Sequence, residues 1–178
     1  MTVRIVLTGP ECTGKTTLAD EIARHFGSPW LPEASREYAA ERAGEGHSLS
    51  AADVEPIARR QIAAEDAALA GAPPILVLDT DLVSTVTYAR HYYGASSAWI
   101  ESEARARKAA LYLLCAPDIA WTPDGIRDRP EHRDEMFVLF ECALAEFGAD
   151  RVVIRGTGPG RLDAAICATT RLVAGVAR

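Results

Sequence analysis

The sequence predicts a three-layer α/β fold, a five-stranded parallel sheet with helices on both faces. Three observations lead there. Apolar runs at 3–8, 75–78 and 110–116 show no polar alternation, as expected of strands covered on both faces. Amphipathic segments with helical spacing separate the runs, and such alternation closes into a parallel sheet through right-handed crossovers. The first run leads without a break into Gly9-Pro10-Glu11-Cys12-Thr13-Gly14-Lys15-Thr16-Thr17, which fits GxxxxGK followed by Ser or Thr, and then into a helix.

That spacing has a physical basis. Gly9 and Gly14 let the backbone curl so that successive N–H groups point inward, and the positive end of the next helix faces the same concavity. Lys15 is then placed to reach β- and γ-phosphates, and the Thr16 hydroxyl to ligate Mg²⁺. Gly9, Glu11, Cys12, Thr13, Gly14, Lys15, Thr16 and Thr17 are therefore the candidate nucleotide-binding residues, with ATP and Mg²⁺ as the expected ligands. The fold is expected to be of the P-loop NTPase type.

The elements follow in order. Leu18, Ile22, Ala23 and Phe26 form one face of the helix after the loop, closed by Gly27. The Pro-rich stretch 28–32 leaves room for a short second strand. Residues 33–43 read as a helix with Ala34, Tyr38 and Ala39 on one face, broken at 44–46. Ser50, with Asp53 three residues on, heads a longer helix running to about 70, where Gly71 and Pro73-Pro74 end it. The strand 75–78 finishes in Asp79-Thr80-Asp81. A helix to Tyr93 follows by the spacing of Leu82, Val86 and Ala89, and Gly94 stops it. Then come a helix at 97–108, the strand 110–116, a polar loop at 117–130, a helix at 131–147, a strand at 151–155, a turn at 156–160 and a closing helix at 161–176.

A chain of 178 residues, 48% hydrophobic, is expected to form one domain over 1–178, with a lid at about 117–133. Nineteen basic against 25 acidic side chains give a net charge of −6, so nothing suggests a surface built to neutralise a nucleic-acid or anionic-membrane partner; the expected partner is a small-molecule acceptor. Cys12, Cys115, Cys142 and Cys167 lack paired spacing and read as free thiols of a reducing cytoplasm. No apolar run approaches the ~20 residues of a membrane span, and the first strand begins at once, so neither span nor leader is expected. His25, His47, His91 and His132 show no ligand spacing.

Ligands of such sheets sit outside the carboxyl ends of the strands. Asp79, at one such end, is the candidate second anchor for Mg²⁺, or else a helix cap. Asp81 is a candidate for acceptor contact, for capping or for solvent. Glu33 is the first carboxylate after the second strand and a candidate general base, with Arg36 orienting the acceptor; the competing reading is a solvated first helical turn. The loop carrying Arg127, Arg129 and then Arg133 reads as an arginine lid or as surface ion pairs with Asp124, Asp128 and Glu131. Tyr88, Tyr92, Tyr93 and Trp99 offer a surface on which a planar base could stack, or else form core. The small residues 156–160 suit close approach by an adenine ring with Arg161 stacking on it, or form a plain turn.

Taken together, Gly9–Thr16, Pro32-Glu33-Ala34-Ser35-Arg36-Glu37-Tyr38, Asp79-Thr80-Asp81 and Trp121-Thr122-Pro123-Asp124-Gly125-Ile126-Arg127 resemble the ribosylnicotinamide kinase domain of the NadR family through nearly the whole chain. The resemblance implies phosphorylation of the ribose 5′-hydroxyl of nicotinamide riboside by ATP. Lys15, Glu33, Asp81 and Arg127 are the expected catalytic residues, and Glu33, Arg36, Asp81, Tyr92, Trp99 and Trp121 the expected substrate-side ones. The DNA-binding and nucleotidyltransferase modules of that family have no expected counterpart, since the chain opens on its phosphate loop and contains no HxGH-type signature. The same motifs also resemble thymidylate kinase and other small nucleoside kinases. Thr80 stands where a thymidylate-type enzyme carries Arg, which disfavours that acceptor. A P-loop ATPase without an acceptor is the remaining alternative.

Overall fold

Strand β1 (Val3–Thr8) is first in the chain and central in the sheet. The computed structural model, which describes residues 2–121 and 132–176, runs β1, α1 (Lys15–Phe26), β2 (Trp30–Leu31), α2 (Ala34–Gly44) and a 3₁₀ turn (Ala51–Asp53) leading into α3 (Val54–Ala70). It continues through β3 (Ile75–Asp79), α4 (Leu82–Tyr93), α5 (Ala98–Ala106), β4 (Leu111–Cys115), α6 (Arg133–Glu146), β5 (Arg151–Ile154) and α7 (Pro159–Val176). The five strands are parallel in the order β2-β3-β1-β4-β5. The register pairs Leu7 with Asp79 and Thr8 with Leu114, so the loop after β1 and the end of β3 emerge at one rim.

Side-chain alternation along these strands builds a core on each face. Ile5, Leu7, Ile75, Val77, Leu111 and Leu113 pack with Leu18 and Ile22 of α1 and Ala165 of α7. Val6, Leu76, Leu78, Tyr112 and Leu114 point the other way, against Val83 and Val86 of α4 and Phe140 and Leu144 of α6. Ile5, Leu7, Ile22 and Phe140 are fully buried, and each such side chain stabilises the fold by roughly 1.5–3 kcal/mol. Covering both faces is what makes these strands continuously apolar.

Local signals set the ends. Gly27 closes α1 in the left-handed conformation and Gly94 does the same for α4. The Ser50–Asp53 capping box forms, but it heads the 3₁₀ turn rather than α3 itself. The closing helix starts at Pro159, two residues before the expected 161, because proline's fixed φ suits a first helical position. Among the described residues no helix is long and apolar enough to cross a membrane.

Candidate active site

The phosphate loop leaves β1 through Gly9, whose φ of 124° is open to glycine, and a Cβ there would lie 2.6 Å from the Cys115 carbonyl oxygen. Gly14, at φ 73°, is the left-handed residue ahead of α1, and no side chain caps that helix. The amides of its first turn therefore stay available to an anion. Lys15 is only 4% exposed, and its Nζ donates to the carbonyls of Gly9 at 3.0 Å and Pro10 at 2.7 Å. Thr13 Oγ1 donates to the same Pro10 carbonyl at 2.9 Å, while Thr16 and Thr17 lie exposed on the first turn.

Thr16 Oγ1 donates to Asp79 Oδ2 at 2.5 Å, across the gap between α1 and the end of β3. A hydroxyl and a carboxylate at that separation are hard oxygen donors of the kind Mg²⁺ takes from a protein when phosphate and water complete its shell. No group of three or more His, Cys, Asp or Glu side chains suited to a metal occurs among the described residues.

Arg161 departs from the expectation of a ring-stacking group. It is 5% exposed, with its guanidinium turned inward to donate to the carbonyls of Thr13 (2.8 Å), Gly156 (2.9 Å) and Ala116 (3.4 Å). Buried against backbone, it has no free face for an adenine. Arg133 grips the loop similarly, donating to the carbonyls of Cys12 at 3.2 Å and Ile119 at 2.9 Å.

Beside the loop opens a cavity of about 540 Å³ whose wall includes Glu11, Glu33, Arg36, Gln61, Tyr88 and Tyr92. Glu33 comes from the residue preceding α2, is 6% exposed, and accepts from Ser35 Oγ at 2.6 Å. Tyr88 and Tyr92, one turn apart on α4, lie nearly parallel with ring centres 6.0 Å apart. Gln61 reaches the wall from α3, and its Nε2 donates to Glu65 Oε1 at 2.8 Å. Burial pushes the Glu65 carboxyl above the usual range, opposed by the Gln61 hydrogen bond and the charge of Arg4. Ser35, Gln61 and Glu65 escaped the sequence reading, although two polar residues four apart on the buried face of α3 are a signal for the latter pair.

Three residues expected on the substrate side, Asp81, Trp99 and Trp121, are absent from the cavity wall, and Asp81 takes the capping role that was its alternative. Asp81 is buried and absent from the cavity wall; its Oδ1 caps α4 by accepting from the Val83 and Ser84 amides, and its Oδ2 accepts from Tyr112 Oη at 2.6 Å. Burial raises the Asp81 carboxyl, against those hydrogen bonds. Burial and the Asp81 charge likewise push the Tyr112 hydroxyl far up. Trp99 lies away from the cavity, packed on the core beneath the Arg59 guanidinium, 4.4 Å from its ring centre. Trp121 is half-buried and also outside the cavity wall. Arg127 and Arg129, with most of the expected lid, lie outside the described residues.

The fold, the loop with its lysine and the strand-end aspartate define a P-loop phosphotransferase. The chain belongs to the AAA domain family AAA_28, whose pattern matches residues 4–161. It is similar to the trifunctional NAD biosynthesis/regulator protein NadR of Escherichia coli (strain K12), 25% identical over 150 residues, which are 80% of this chain and 37% of that protein. Among solved structures it resembles a NadR protein in complex with NR, at a TM-score of 0.79 and 25% identity, covering 97% of this chain and 52% of the other. The fold also matches thymidylate kinase from Ehrlichia chaffeensis, at a TM-score of 0.69 and 13% identity, over 94% of this chain and 98% of that one. The chain thus spans about half or less of the NadR proteins it matches.

Proposed function

We propose that the chain transfers the terminal phosphoryl group of ATP to the 5′-hydroxyl of nicotinamide riboside, releasing ADP and nicotinamide mononucleotide. The observation that carries this reading is the cavity, which shares Glu11 with the phosphate loop and holds Glu33 in its wall, so an acceptor would lie against the phosphate end of the nucleotide. The likeness to a NadR protein bound to NR supports the choice of acceptor. So does the lining: a flat, cationic pyridinium ring suits the parallel Tyr88 and Tyr92 rings and an excess of carboxylate over Arg36.

In this reading Lys15 leaves the Gly9 and Pro10 carbonyls for the β- and γ-phosphates, exchanging neutral partners for charged ones. Glu33 takes the proton of the ribose hydroxyl as its oxygen bonds to the γ-phosphorus, and the electron pair of the breaking P–O bond leaves with ADP. Ser35 fixes the orientation of that carboxylate. Thr16 and Asp79 would hold Mg²⁺, which when bound neutralises charge on the phosphate oxygens. Arg36 balances charge at the acceptor end.

The test is a panel of nucleosides and vitamins, thymidine among them, with ATP and Mg²⁺, scored as ADP release above a no-acceptor blank. Nicotinamide riboside should stand out, and Glu33→Gln should still bind it while turnover falls by roughly 10² to 10⁴. A wild type indifferent to nicotinamide riboside overturns the acceptor, and a Glu33→Gln variant at normal turnover overturns the base.

A further inference from the structure

The two arginines behind the phosphate loop carry an inference beyond the acceptor. Arg161, from the first turns of α7, holds the Thr13 carbonyl, and Arg133, at the start of α6, holds the Cys12 carbonyl. These are consecutive peptide units in the stretch that curls, with Cys12 at φ 52° and Gly14 at φ 73°. In a trans peptide the C=O of one residue and the N–H of the next point in opposite directions. Drawing the Cys12 and Thr13 carbonyls out toward the arginines therefore turns the N–H groups of Thr13 and Gly14 the other way, into the loop. Such alternating conformations are what make a backbone nest for an anion.

The charges matter as well. Among the described residues neither guanidinium forms an ion pair with a carboxylate; their acceptors are backbone carbonyls, with the Cys115 thiol also beside Arg161. Each also has a buried Nε that makes no hydrogen bond. A cation withdrawn from water and met by neutral dipoles, with no carboxylate, keeps most of its field, and the field falls on the loop whose backbone it grips. We propose that Arg161 and Arg133 are positioning residues for phosphate binding: they fix the direction of the Thr13 and Gly14 amides and supply positive potential behind the loop, without touching the nucleotide. The part of the ligand they serve is its polyphosphate, not its base.

This rests on the loop being a phosphate site, which Lys15→Ala tests separately. The experiment uses the full chain and measures binding of ADP and of inorganic tripolyphosphate by calorimetry, with melting temperature and the KM values for ATP and acceptor alongside. Arg161→Met, which keeps the buried volume, should weaken ADP and tripolyphosphate to the same degree, by about tenfold to a hundredfold for a lost charge-assisted contact set. The KM for ATP should rise while the KM for the acceptor stays put. Arg133→Met, at a half-buried position, should show the same pattern more weakly, and it decides the matter if Arg161→Met does not fold. A variant that melts lower yet binds tripolyphosphate normally makes the arginines merely structural and overturns the proposal. Loss of ADP binding with tripolyphosphate unaffected also overturns it, since Arg161 would then serve the base. If Lys15→Ala binds and turns over normally, the phosphate site itself fails; if only the arginine variants do, this inference alone fails.

Discussion

Gly9→Ala tests how closely the phosphate loop is seated on the sheet. Two costs combine at this position. An alanine at φ 124° carries backbone strain of about 1–3 kcal/mol, and its Cβ would meet the Cys115 carbonyl oxygen at 2.6 Å. That oxygen cannot swing aside, because Cys115 is fully buried in β4 and registered against Ile154 of β5. Overpacking of this kind costs a further 1–3 kcal/mol or so. The sum is about 4 kcal/mol, or roughly 10 °C in melting temperature for a chain of this size. Relief requires the loop to move, taking with it the Gly9 carbonyl that Lys15 holds, and misplacement by about 1 Å is worth on the order of 10² in turnover. Gly27→Ala is the control: φ is 60° and no atom lies within 4 Å of a new Cβ, so it should cost about 1–2 kcal/mol and leave turnover alone. Differential scanning calorimetry and ADP release, run on both variants, decide it. Should Gly9→Ala melt beside Gly27→Ala and turn over normally, the close approach of loop and β4 is refuted.

Two further expectations concern buried polar groups. Glu65→Gln removes a carboxyl whose value is raised by burial, so its ionised form is penalised in the fold, and wild-type stability falls as pH climbs above the ordinary value of about 4.3. The variant should therefore gain on the wild type across that window by up to about 1.4 kcal/mol for each unit of upward displacement, and show no pH-dependent gain below pH 4; urea midpoints from pH 4 to 8 that differ by a constant amount contradict this. Tyr112→Phe leaves Asp81 Oδ2 buried without its 2.6 Å donor and should cost about 2–3 kcal/mol at an unchanged denaturant m-value, with turnover retained because Val83 and Ser84 still hold the other oxygen. Full stability with lost turnover would instead return Asp81 to the chemistry.

Much of the fold was legible because its signals are local. The runs at 75–78 and 110–116 had to be covered on two faces, Gly27 and Gly94 marked helix ends by left-handed conformations few other residues provide, and Ser50 with Asp53 marked the 3₁₀ turn by their capping box. The phosphate loop was legible for the same reason: its chemistry is fixed by spacing within one stretch. Asp81 was not, because its fate depends on Tyr112, 31 positions away in sequence and brought near by the pairing of β1 with both β3 and β4. Arg161 misled similarly. A glycine-rich loop beside an arginine suggests an exposed group, yet the packing of α7 against the sheet turns the side chain inward to the carbonyls of Thr13 and Ala116. Gln61 belongs to the cavity because α3 packs beside α4, whose residues form the opposite part of the wall.

The position of β1 has a consequence for how the chain is made. The strand that leads into the phosphate loop is synthesised before both of its neighbours in the sheet, since its two hydrogen-bonding edges are taken by β3 and β4, whose residues begin at 75 and 111. Until β4 has followed it, an apolar segment whose Ile5, Val6 and Leu7 end up wholly out of water has at least one edge open to any other strand. Such long-range pairing slows folding, because each crossover must close before the contact rewards it. The segment is thus most vulnerable to aggregation before β3 and β4 exist, when the phosphate loop is already made but has no sheet to stand on.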